Sequence, residues 1–542
     1  MCGIVGNINN SLVKDNLIQG LKKLEYRGYD SVGLALINDN QNIDILKSAG
    51  KIKNFLHKHD KDESDGNIGI GHTRWATHGE PSDNNAHPIF DFRKRLAVVH
   101  NGIIENYLDL KNELTKSGYQ FVTDTDTESI SNLISSYVEK NHNTFDAINL
   151  TLGKINGHAA VLIISQDEPD TIFGFKKGFA GSLLIGKNNE QVFIASDFQT
   201  LISSSDEYIV LEDGEAFKAT NNKIEVYKGN KKINKTWMAI TQNTEKISKG
   251  KYKFFMEKEI HEQSEVFLRN FQGRVNFNSQ SVNFSEELNK IDLKNIERVH
   301  LIGMGSSYYA CMLGSYWLEK ISKIPIQYSN SSEFRYRHPV VENNTLIIPV
   351  SQSGETADTL SASNLAKEMK LLQISITNSS NSELERITKN SIMMRANTEI
   401  GVASTKTFMA TIEILFILSL YLAQIHNIKI NKDLIFDELK ILPSKIDNIF
   451  KNSNQIIKLA KLYSRYNNFL FLGRGQNYPI AMEGALKLKE LSYIHAEGYP
   501  AGEMKHGPIS LIDSNMPVFN IITEGPYLNK MISNIREIQS RK

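Results

Sequence analysis

Residues 2–6 read Cys2-Gly3-Ile4-Val5-Gly6, a nucleophilic side chain set directly before a short apolar run with the character of a buried strand. Methionine is generally trimmed when a small residue follows it, and trimming here leaves a thiol and a free α-amine on one residue. An α-amine has a pKa of about 7.7–8.0, so near neutral pH it can take the thiol proton directly or through one water. The bland alternative is a small buried apolar cysteine. Cys2 is one of two cysteines in 542 residues. That is too few for a disulfide framework, there is no Cys/His cluster at metal-ligand spacing, and a reactive thiol suits a reducing compartment, which predicts a cytoplasmic protein.

Working outward, short β-rich runs recur to about residue 235: Ile4 to Ile8, Gly33 to Ile37, Leu96 to Val99, Ala159 to Ile164, Val192 to Ala195 and Tyr208 to Leu211. Stacked sheets with a few helices are expected. The polar, lysine-bearing stretch Gln242 to Lys253 reads as a linker, and the linker as a whole is placed at 241–285. Beyond it the rhythm becomes strand, glycine or serine turn, helix (Val299 to Gly303, Thr345 to Val350, Leu470 to Gly473), the pattern of a parallel α/β sheet. Leu301-Ile302-Gly303-Met304-Gly305-Ser306 recurs as Phe471-Leu472-Gly473-Arg474-Gly475-Gln476, and Gly314 matches Gly484 at the same offset. Two copies of one domain, 286–440 and 441–542, are therefore expected behind a first domain at 2–240. The G-x-G in each copy is not a dinucleotide fingerprint, because Tyr308 and Tyr478 stand where the third glycine belongs.

Lys plus Arg is 62 against Asp plus Glu 61, which leaves no basic field for nucleic acid or an anionic membrane. The most apolar run, Ile412 to Ile425, is too short to span a bilayer, carries Glu413, and is expected to be a buried helix.

Three further features of the first domain carry chemistry. An arginine on the loop His72-Thr73-Arg74-Trp75-Ala76-Thr77-His78-Gly79 can grip a carboxylate bidentately or form an ordinary ion pair, while His72 and His78 read as structural rather than metal-binding. His100-Asn101-Gly102 is expected to close the strand Leu96 to Val99, offering a side-chain amide and an unhindered backbone N–H as an oxyanion hole. Thr125-Asp126-Thr127-Glu128 opens a helix and reads by itself as an N-cap. Together with Tyr26-Arg27-Gly28-Tyr29-Asp30-Ser31 and Cys2-Gly3-Ile4-Val5-Gly6, these motifs resemble the class II glutamine amidotransferase domain of the N-terminal-nucleophile hydrolases. The resemblance implies a four-layer α+β sandwich that hydrolyses glutamine. By it, Cys2 attacks the side-chain amide, Asn101 and Gly102 hold the oxyanion, Arg74 binds the α-carboxylate and Asp126 the α-amine, and Trp75, Thr77 and His78 line or gate the pocket.

In the C-terminal part, Ser351-Gln352-Ser353-Gly354-Glu355-Thr356 follows an apolar strand and precedes a helix. Its three hydroxyl residues and one glycine exceed what capping needs and point to a phosphate site, which Ser307 and Ser404 can reach from neighbouring strand ends. Lys487 and Glu490 lie three apart, on one helical face, and by themselves read as an ordinary ion pair. A histidine at 506, within Lys505-His506-Gly507-Pro508, can move protons near neutral pH. These stretches, with Glu399 to Lys406, resemble paired sugar isomerase domains, and the whole chain resembles the glutamine–fructose-6-phosphate aminotransferase family. That resemblance implies L-glutamine and fructose 6-phosphate as substrates, no metal or other cofactor, a homodimer, and ammonia passing inside the protein to the sugar site with Trp75 in its gate. Ser307, Ser351, Gln352, Ser353, Thr356 and Ser404 would hold the phosphosugar. His506 would open its ring, and Glu490, supported by Lys487, would move the proton between C1 and C2. The family extends past Lys542, so the second sugar domain is expected to be incomplete, with an open sheet edge and weakened ammonia transfer. A noncatalytic phosphosugar-binding protein, or a glutaminase alone, is the alternative.

Overall fold

Ile4 and Ile8 point to one side of the first strand and Val5 to the other, and both sides are buried, so this strand is a layer with packing on each face. The computed structural model describes residues 2–240, 248–288 and 291–541. It divides into two units, Met1–Lys246 and Ile247–Lys542. Among the described residues, the strands of the first unit are β1 (Gly3–Asn9), β2 (Ser31–Ile37), β3 (Ile43–Ala49), β4 (Ile68–Arg74), β5 (Ile89–Phe90), β6 (Leu96–Ile104), β7 (Gly157–Ser165), β8 (Ile172–Lys177), β9 (Leu184–Lys187), β10 (Gln191–Ala195), β11 (Glu207–Val210), β12 (Glu215–Ala219), β13 (Ile224–Lys228), β14 (Lys231–Ile233) and β15 (Met238–Ala239). They form two antiparallel sheets, in the orders β15-β11-β9-β10-β1-β4-β2-β3 and β14-β13-β12-β8-β7-β6-β5.

The helices are α1 (Lys14–Leu24), α2 (Ile52–Lys58), α3 (Tyr107–Lys116), α4 (Thr127–Val138), α5 (Thr144–Lys154) and α6 (Phe198–Leu201). Three apolar layers bind these parts together. The first lies between the sheets (Ile4, Ile70, Val99, Leu162), the second packs α1, α2 and α6 on one sheet, and the third packs α3, α4 and α5 on the other. The result is the expected four-layer sandwich. Glycines let α1 lie close: a Cβ at Gly69 would stand 2.7 Å from Leu17 Cδ1, and one at Gly71 would stand 3.1 Å from Leu21 Cδ1.

The second unit opens with α7 (Phe255–His261), α8 (Gln263–Phe271), a small hairpin of β16 (Val275–Asn276) with β17 (Ser281–Val282), and α9 (Ser285–Leu288). A parallel sheet follows, built from β18 (Arg298–Gly303), β19 (Ile326–Asn330), β20 (Thr345–Pro349) and β21 (Leu372–Gln373), and one parallel bridge, Val350 to Ile376, ties it to the pair β22 (Ser375–Thr377) and β23 (Ser391–Met393). Its helices are α10 (Ser306–Ser322), α11 (Ser331–Arg337), α12 (Ala357–Glu368), α13 (Glu383–Thr388), α14 (Lys406–Ile425) and α15 (Lys432–Lys451). After α16 (Ser453–Tyr463), a second parallel sheet of β24 (Asn468–Gly473), β25 (His495–Pro500) and β26 (Val518–Asn520) carries α17 (Asn477–Ser492) and α18 (Leu528–Gln539).

The repeat seen in the sequence is a repeat of backbone. β18 turns into α10 through Gly305 at φ 54°, and β24 turns into α17 through Gly475 at φ 56°, a conformation that glycine adopts without a Cβ penalty. A Cβ at Gly303 or Gly473 would press on the backbone of the helix that follows.

Three expectations need correction. The apolar strand does not close at Asn101: β6 runs on to Ile104, keeping its pairing with β7 through Gly102, because the inward face stays paired although the sequence turns polar. The stretch 241–285 is not a linker throughout. Residues 241–247 lie outside the described residues, but Val266, Phe267, Phe271, Val282 and Phe284 beyond them enter the main core of the second unit. A domain break at 440 falls inside α15, whose Phe436, Leu439 and Ile446 pack on that same core. The apolar run is the buried helix that was expected, extended back to Lys406. Its 20 residues have the length and hydropathy of a membrane span, yet Ile414, Leu415, Ile417 and Leu418 are fully buried, each such burial contributing about 1.5–3 kcal/mol.

A buried polar chain crosses this core. Arg274, 1% exposed at its side chain, donates to Asn270 Oδ1 (2.6 Å), Glu287 Oε2 (2.9 Å) and the Met393 carbonyl (2.6 Å), and Asn270 Nδ2 donates onward to Glu413 (2.9 Å). Burial pushes the Glu413 carboxyl well above its usual range. Removing Arg274 strands a carboxylate, an amide and a carbonyl together. Arg274→Ala is expected to destabilise the second unit by about 3–5 kcal/mol, read as a lower denaturant midpoint in far-ultraviolet ellipticity, with Arg274→Lys falling between.

Candidate functional site

Period-two alternation places Cys2 on the inward side of β1 with Ile4 and Ile8, at the end of the layer between the two sheets. Gly3 follows because α1 leaves no room: a Cβ there would stand 2.6 Å from Leu24 Cβ. The Cys2 thiol is partly exposed and accepts a hydrogen bond from the Trp75 backbone N–H (3.2 Å). Burial pushes the thiol up, opposed by that N–H and by the charge of Arg74 and reinforced by the charge of Asp126. The Cys2 thiol, the Arg74 guanidinium and the Asp126 carboxylate are thus electrostatic neighbours.

Arg74 ends β4 on the same inward face. Its guanidinium donates to the carbonyls of His78, Gly79 (3.2 Å) and Glu80 (3.5 Å), which ties down the loop that bears Trp75, Thr77 and His78. Gly28 and Asp30 brace this loop. Asp30 accepts the Ala76 N–H (2.8 Å), and Gly28 passes so close that a Cβ would stand 2.7 Å from the Arg74 carbonyl carbon. Trp75 is exposed and meets Tyr29 edge to face at 5.2 Å, Thr77 is exposed, and the His78 ring rests on Tyr107 at 5.0 Å.

Asn101 reaches in from β6 on the opposite sheet. Its Nδ2 donates to the Cys2 carbonyl (3.2 Å), and its Oδ1 lies 3.0 Å from His72 Nε2. Gly102 follows at φ 124°, where a Cβ would stand 1.9 Å from the His158 carbonyl oxygen, so only glycine fits. Asp126 precedes α4 but makes no capping bond. Its carboxylate instead accepts the Ile104 N–H (2.8 Å), holding the acid beside β6, and Glu128 takes the N–H groups of Val122 (2.8 Å) and Thr123 (2.7 Å) to fix the loop before it. The N-cap alternative is therefore not what the side chain does. A thiol, a side-chain N–H, a guanidinium and a carboxylate converge on one end of the inter-sheet layer, a set suited to acyl transfer from an amino-acid amide.

In the second unit a cavity is lined by Ser306, Ser307, Gln352, Ser404, Thr407, Phe408 and Thr411, at the strand carboxyl ends and the starts of α10 and α14. Of the six expected sugar-phosphate residues, Ser307, Gln352 and Ser404 line it. Ser351 and Thr356 bond to each other (2.9 Å), and Ser353 Oγ accepts the Glu355 N–H (3.2 Å), so these three build the turn instead. Gly354 at φ 66° makes that turn possible.

Lys487 bridges the two sugar domains: its Nζ lies 2.8 Å from Glu490, 3.3 Å from Glu483 and 3.2 Å from Ser306 Oγ, which lines the cavity. Burial raises the Glu483 carboxyl, and Lys487 works against the rise. His506 ends a short turn over Ala501–His506, exposed and outside the lining of this cavity.

Sequence reading had passed over Ser306, Thr407 and Thr411 as cavity residues. The i,i+3 and i,i+7 spacing of the last two from Ser404, which leads into α14, was the available signal. It had also given Glu483 no role beside Lys487, although the i,i+4 spacing was visible.

Comparison with known proteins agrees with this geometry. The glutamine amidotransferase domain family matches residues 72–203, and the SIS domain family matches 292–420 and 462–542. Glutamine–fructose-6-phosphate aminotransferase (isomerizing) of Acinetobacter baylyi is 40% identical over 551 residues, covering 100% of this chain and 89% of its own length. The Buchnera aphidicola protein of the same name is 41% identical over 551 residues with the same coverage. The solved C-terminal domain of glucosamine-fructose-6-phosphate aminotransferase from Francisella tularensis superposes with a TM-score of 0.52 at 38% identity, covering 54% of this chain and 83% of that one. With an amidotransferase domain in the first unit, two SIS domains in the second and relatives matched along its whole length, this chain belongs to the glutamine–fructose-6-phosphate aminotransferase family.

Proposed function

We propose that the chain converts fructose 6-phosphate and L-glutamine to glucosamine 6-phosphate and glutamate, the entry step of hexosamine biosynthesis. The convergence of Cys2, Asn101, Arg74 and Asp126 on one end of the inter-sheet layer carries this reading. Once Met1 is removed, the α-amine of Cys2 takes the thiol proton. The thiolate attacks the glutamine side-chain carbonyl carbon, and the oxyanion takes the second Nδ2 hydrogen of Asn101 and the Gly102 N–H. Collapse expels ammonia, and water cleaves the thioester to glutamate. Arg74 holds the α-carboxylate and Asp126 the α-ammonium, while Trp75, Thr77 and His78 gate the pocket. The arginine is suited to this by its planar fork, which a lysine lacks.

Ammonia then meets the sugar. Ser307, Gln352 and Ser404 take the phosphate, with Ser351, Ser353 and Thr356 shaping the turn. Glu490 moves the proton between C1 and C2 under the control of Lys487, and His506 assists ring opening. His506 is exposed and outside the cavity, and α16 leaves Ile456, Ile457, Leu459 and Leu462 about half exposed; both observations favour a homodimer that completes the site. A working thiol nucleophile favours a reducing cytoplasm.

The test is incubation with both substrates and separate quantification of glutamate and glucosamine 6-phosphate. Formation of both supports the synthase reading, and absence of both overturns it. Cys2→Ala is expected to lose glutamate release below detection while its circular dichroism and fructose 6-phosphate binding stay unchanged. Glu490→Gln is expected to keep glutamine hydrolysis within about twofold yet cut glucosamine 6-phosphate formation by about 10²-fold or more, as loss of a general acid–base does.

A further inference from the structure

Three imidazoles, His72, His87 and His100, lie buried behind the proposed oxyanion site. His87 Nε2 and His100 Nδ1 both meet the Thr127 hydroxyl, at 2.6 and 3.1 Å, which anchors those two rings to α4. His72 does something different. It stands on β4, fully buried and 4.4 Å from the His87 ring, and it reaches across the inter-sheet layer to the other sheet. Its Nε2 is 3.0 Å from the His100 carbonyl oxygen and 3.0 Å from Asn101 Oδ1.

A peptide carbonyl can only accept, so the Nε2 beside it carries the hydrogen. A nitrogen fixed as a donor then requires an acceptor from Asn101. The amide must present Oδ1 to His72, and its Nδ2 is left on the far side, 3.2 Å from the Cys2 carbonyl, where an oxyanion donor is needed. The reversed amide would set two donors against each other at His72 and a lone-pair oxygen against the developing negative charge. The chain of obligations runs from a backbone carbonyl, through one tautomer, to the direction of one side chain.

We propose that His72 is a positioning residue of the glutaminase reaction: held as the Nε2–H tautomer by the His100 carbonyl, it locks the Asn101 amide with its N–H₂ toward Cys2. Two further observations fit. Burial drives the imidazole down to about 3, so the ring stays neutral at working pH, and Nδ1 is buried with no hydrogen-bond partner among the described residues, so nothing there competes for the proton. The histidine does not touch substrate; it acts through Asn101.

This inference rests on the glutaminase reading above, and its test separates the two. Steady-state glutamine hydrolysis is measured for the unsubstituted protein, Asn101→Ala, His72→Leu, His72→Gln and the double variant H72L/N101A. Asn101→Ala is expected to lower kcat by about 10²–10³-fold, the usual loss for one oxyanion donor. His72→Leu is expected to lower kcat at least tenfold with KM for glutamine within about twofold, because substrate binding does not need the amide while the transition state does. His72→Gln, whose side-chain N–H₂ can reach both oxygens, is expected to restore most of the loss. The double variant is expected to be no worse than Asn101→Ala alone. Should leucine not be accommodated, as judged by circular dichroism, His72→Asn takes its place, since its donor falls short of Asn101. Full kcat in His72→Leu, no rescue by His72→Gln, or losses that multiply in the double variant would overturn the positioning role while glutamine hydrolysis stands. No glutamate from the unsubstituted protein would overturn the glutaminase reading, and the positioning role with it.

Discussion

Two antiparallel sheets packed face to face govern the first unit, because Cys2 and Asn101 belong to different sheets. Sheets stack about 10 Å apart, a gap that two layers of apolar side chains fill. Ile4 and Ile8 on β1, Ile68 and Ile70 on β4, and Ala97 and Val99 on β6 fill it here. Cys2, His72, Arg74 and Asn101 continue those same alternations beyond the apolar positions, so the chemistry occupies the last rungs of the hydrophobic layer. A slip of one residue in any of the three strands would turn its functional side chain to the helical layers. The register pairing Ile4 with His72, and Val5 with both Gly71 and Ala195, therefore fixes which polar side chains share the inter-sheet layer.

Glycine marks the places where this packing becomes tight. Gly3, Gly28, Gly69 and Gly71 all sit where a Cβ would meet a neighbouring strand or helix, and they crowd around the two strands that carry Cys2 and Arg74. Small residues let the helix-side layer close down on these strands, and the strands in turn fix the site. In the second unit the equivalent constraint is the doubled strand-to-helix turn. Both copies place a helix start at the carboxyl end of a parallel strand, and α10 and α17 then face each other, which allows Lys487 of one domain to reach Ser306 of the other. A cavity residue and an ion-pair cluster meet there only because the domain is repeated.

Motifs with one short-range mechanism were legible in the sequence: the cysteine before a strand, the serine turn before a helix, the recurring G-x-G at a strand-to-helix turn. Where a signal depended on long-range pairing, sequence reading stopped short. Asn101 looked like the end of a strand because polarity changes there, whereas β7 continues to pair with β6 to Ile104. Phe267 and Phe271 looked like part of a linker because the polar stretch before them dominates the composition, whereas their partners lie in strands and helices distant in the chain. His72 was read as structural from its spacing alone. Periodicity along β4 says nothing of what the opposite sheet sets against it.

The buried histidines show how desolvation can serve orientation instead of proton transfer. An imidazole near water titrates close to neutrality and exchanges tautomers, so it can direct nothing for long. Enclosed between sheets, where desolvation is the largest influence on it, the ring loses its charged form, and a single acceptor then decides which nitrogen keeps the hydrogen. His72 has that acceptor in the His100 carbonyl, which is itself fixed by the β6–β7 ladder. The orientation of Asn101 is thus referred back to backbone geometry, the most rigid element available. Burial of His87 and His100 around Thr127 completes the dry surround: desolvation lowers both imidazoles, which disfavours a positive charge on the rings behind the amide. The site holds its polar groups in place with neutral hydrogen bonds beneath, while the buried Arg74 and Asp126 set their charges beside the Cys2 thiol.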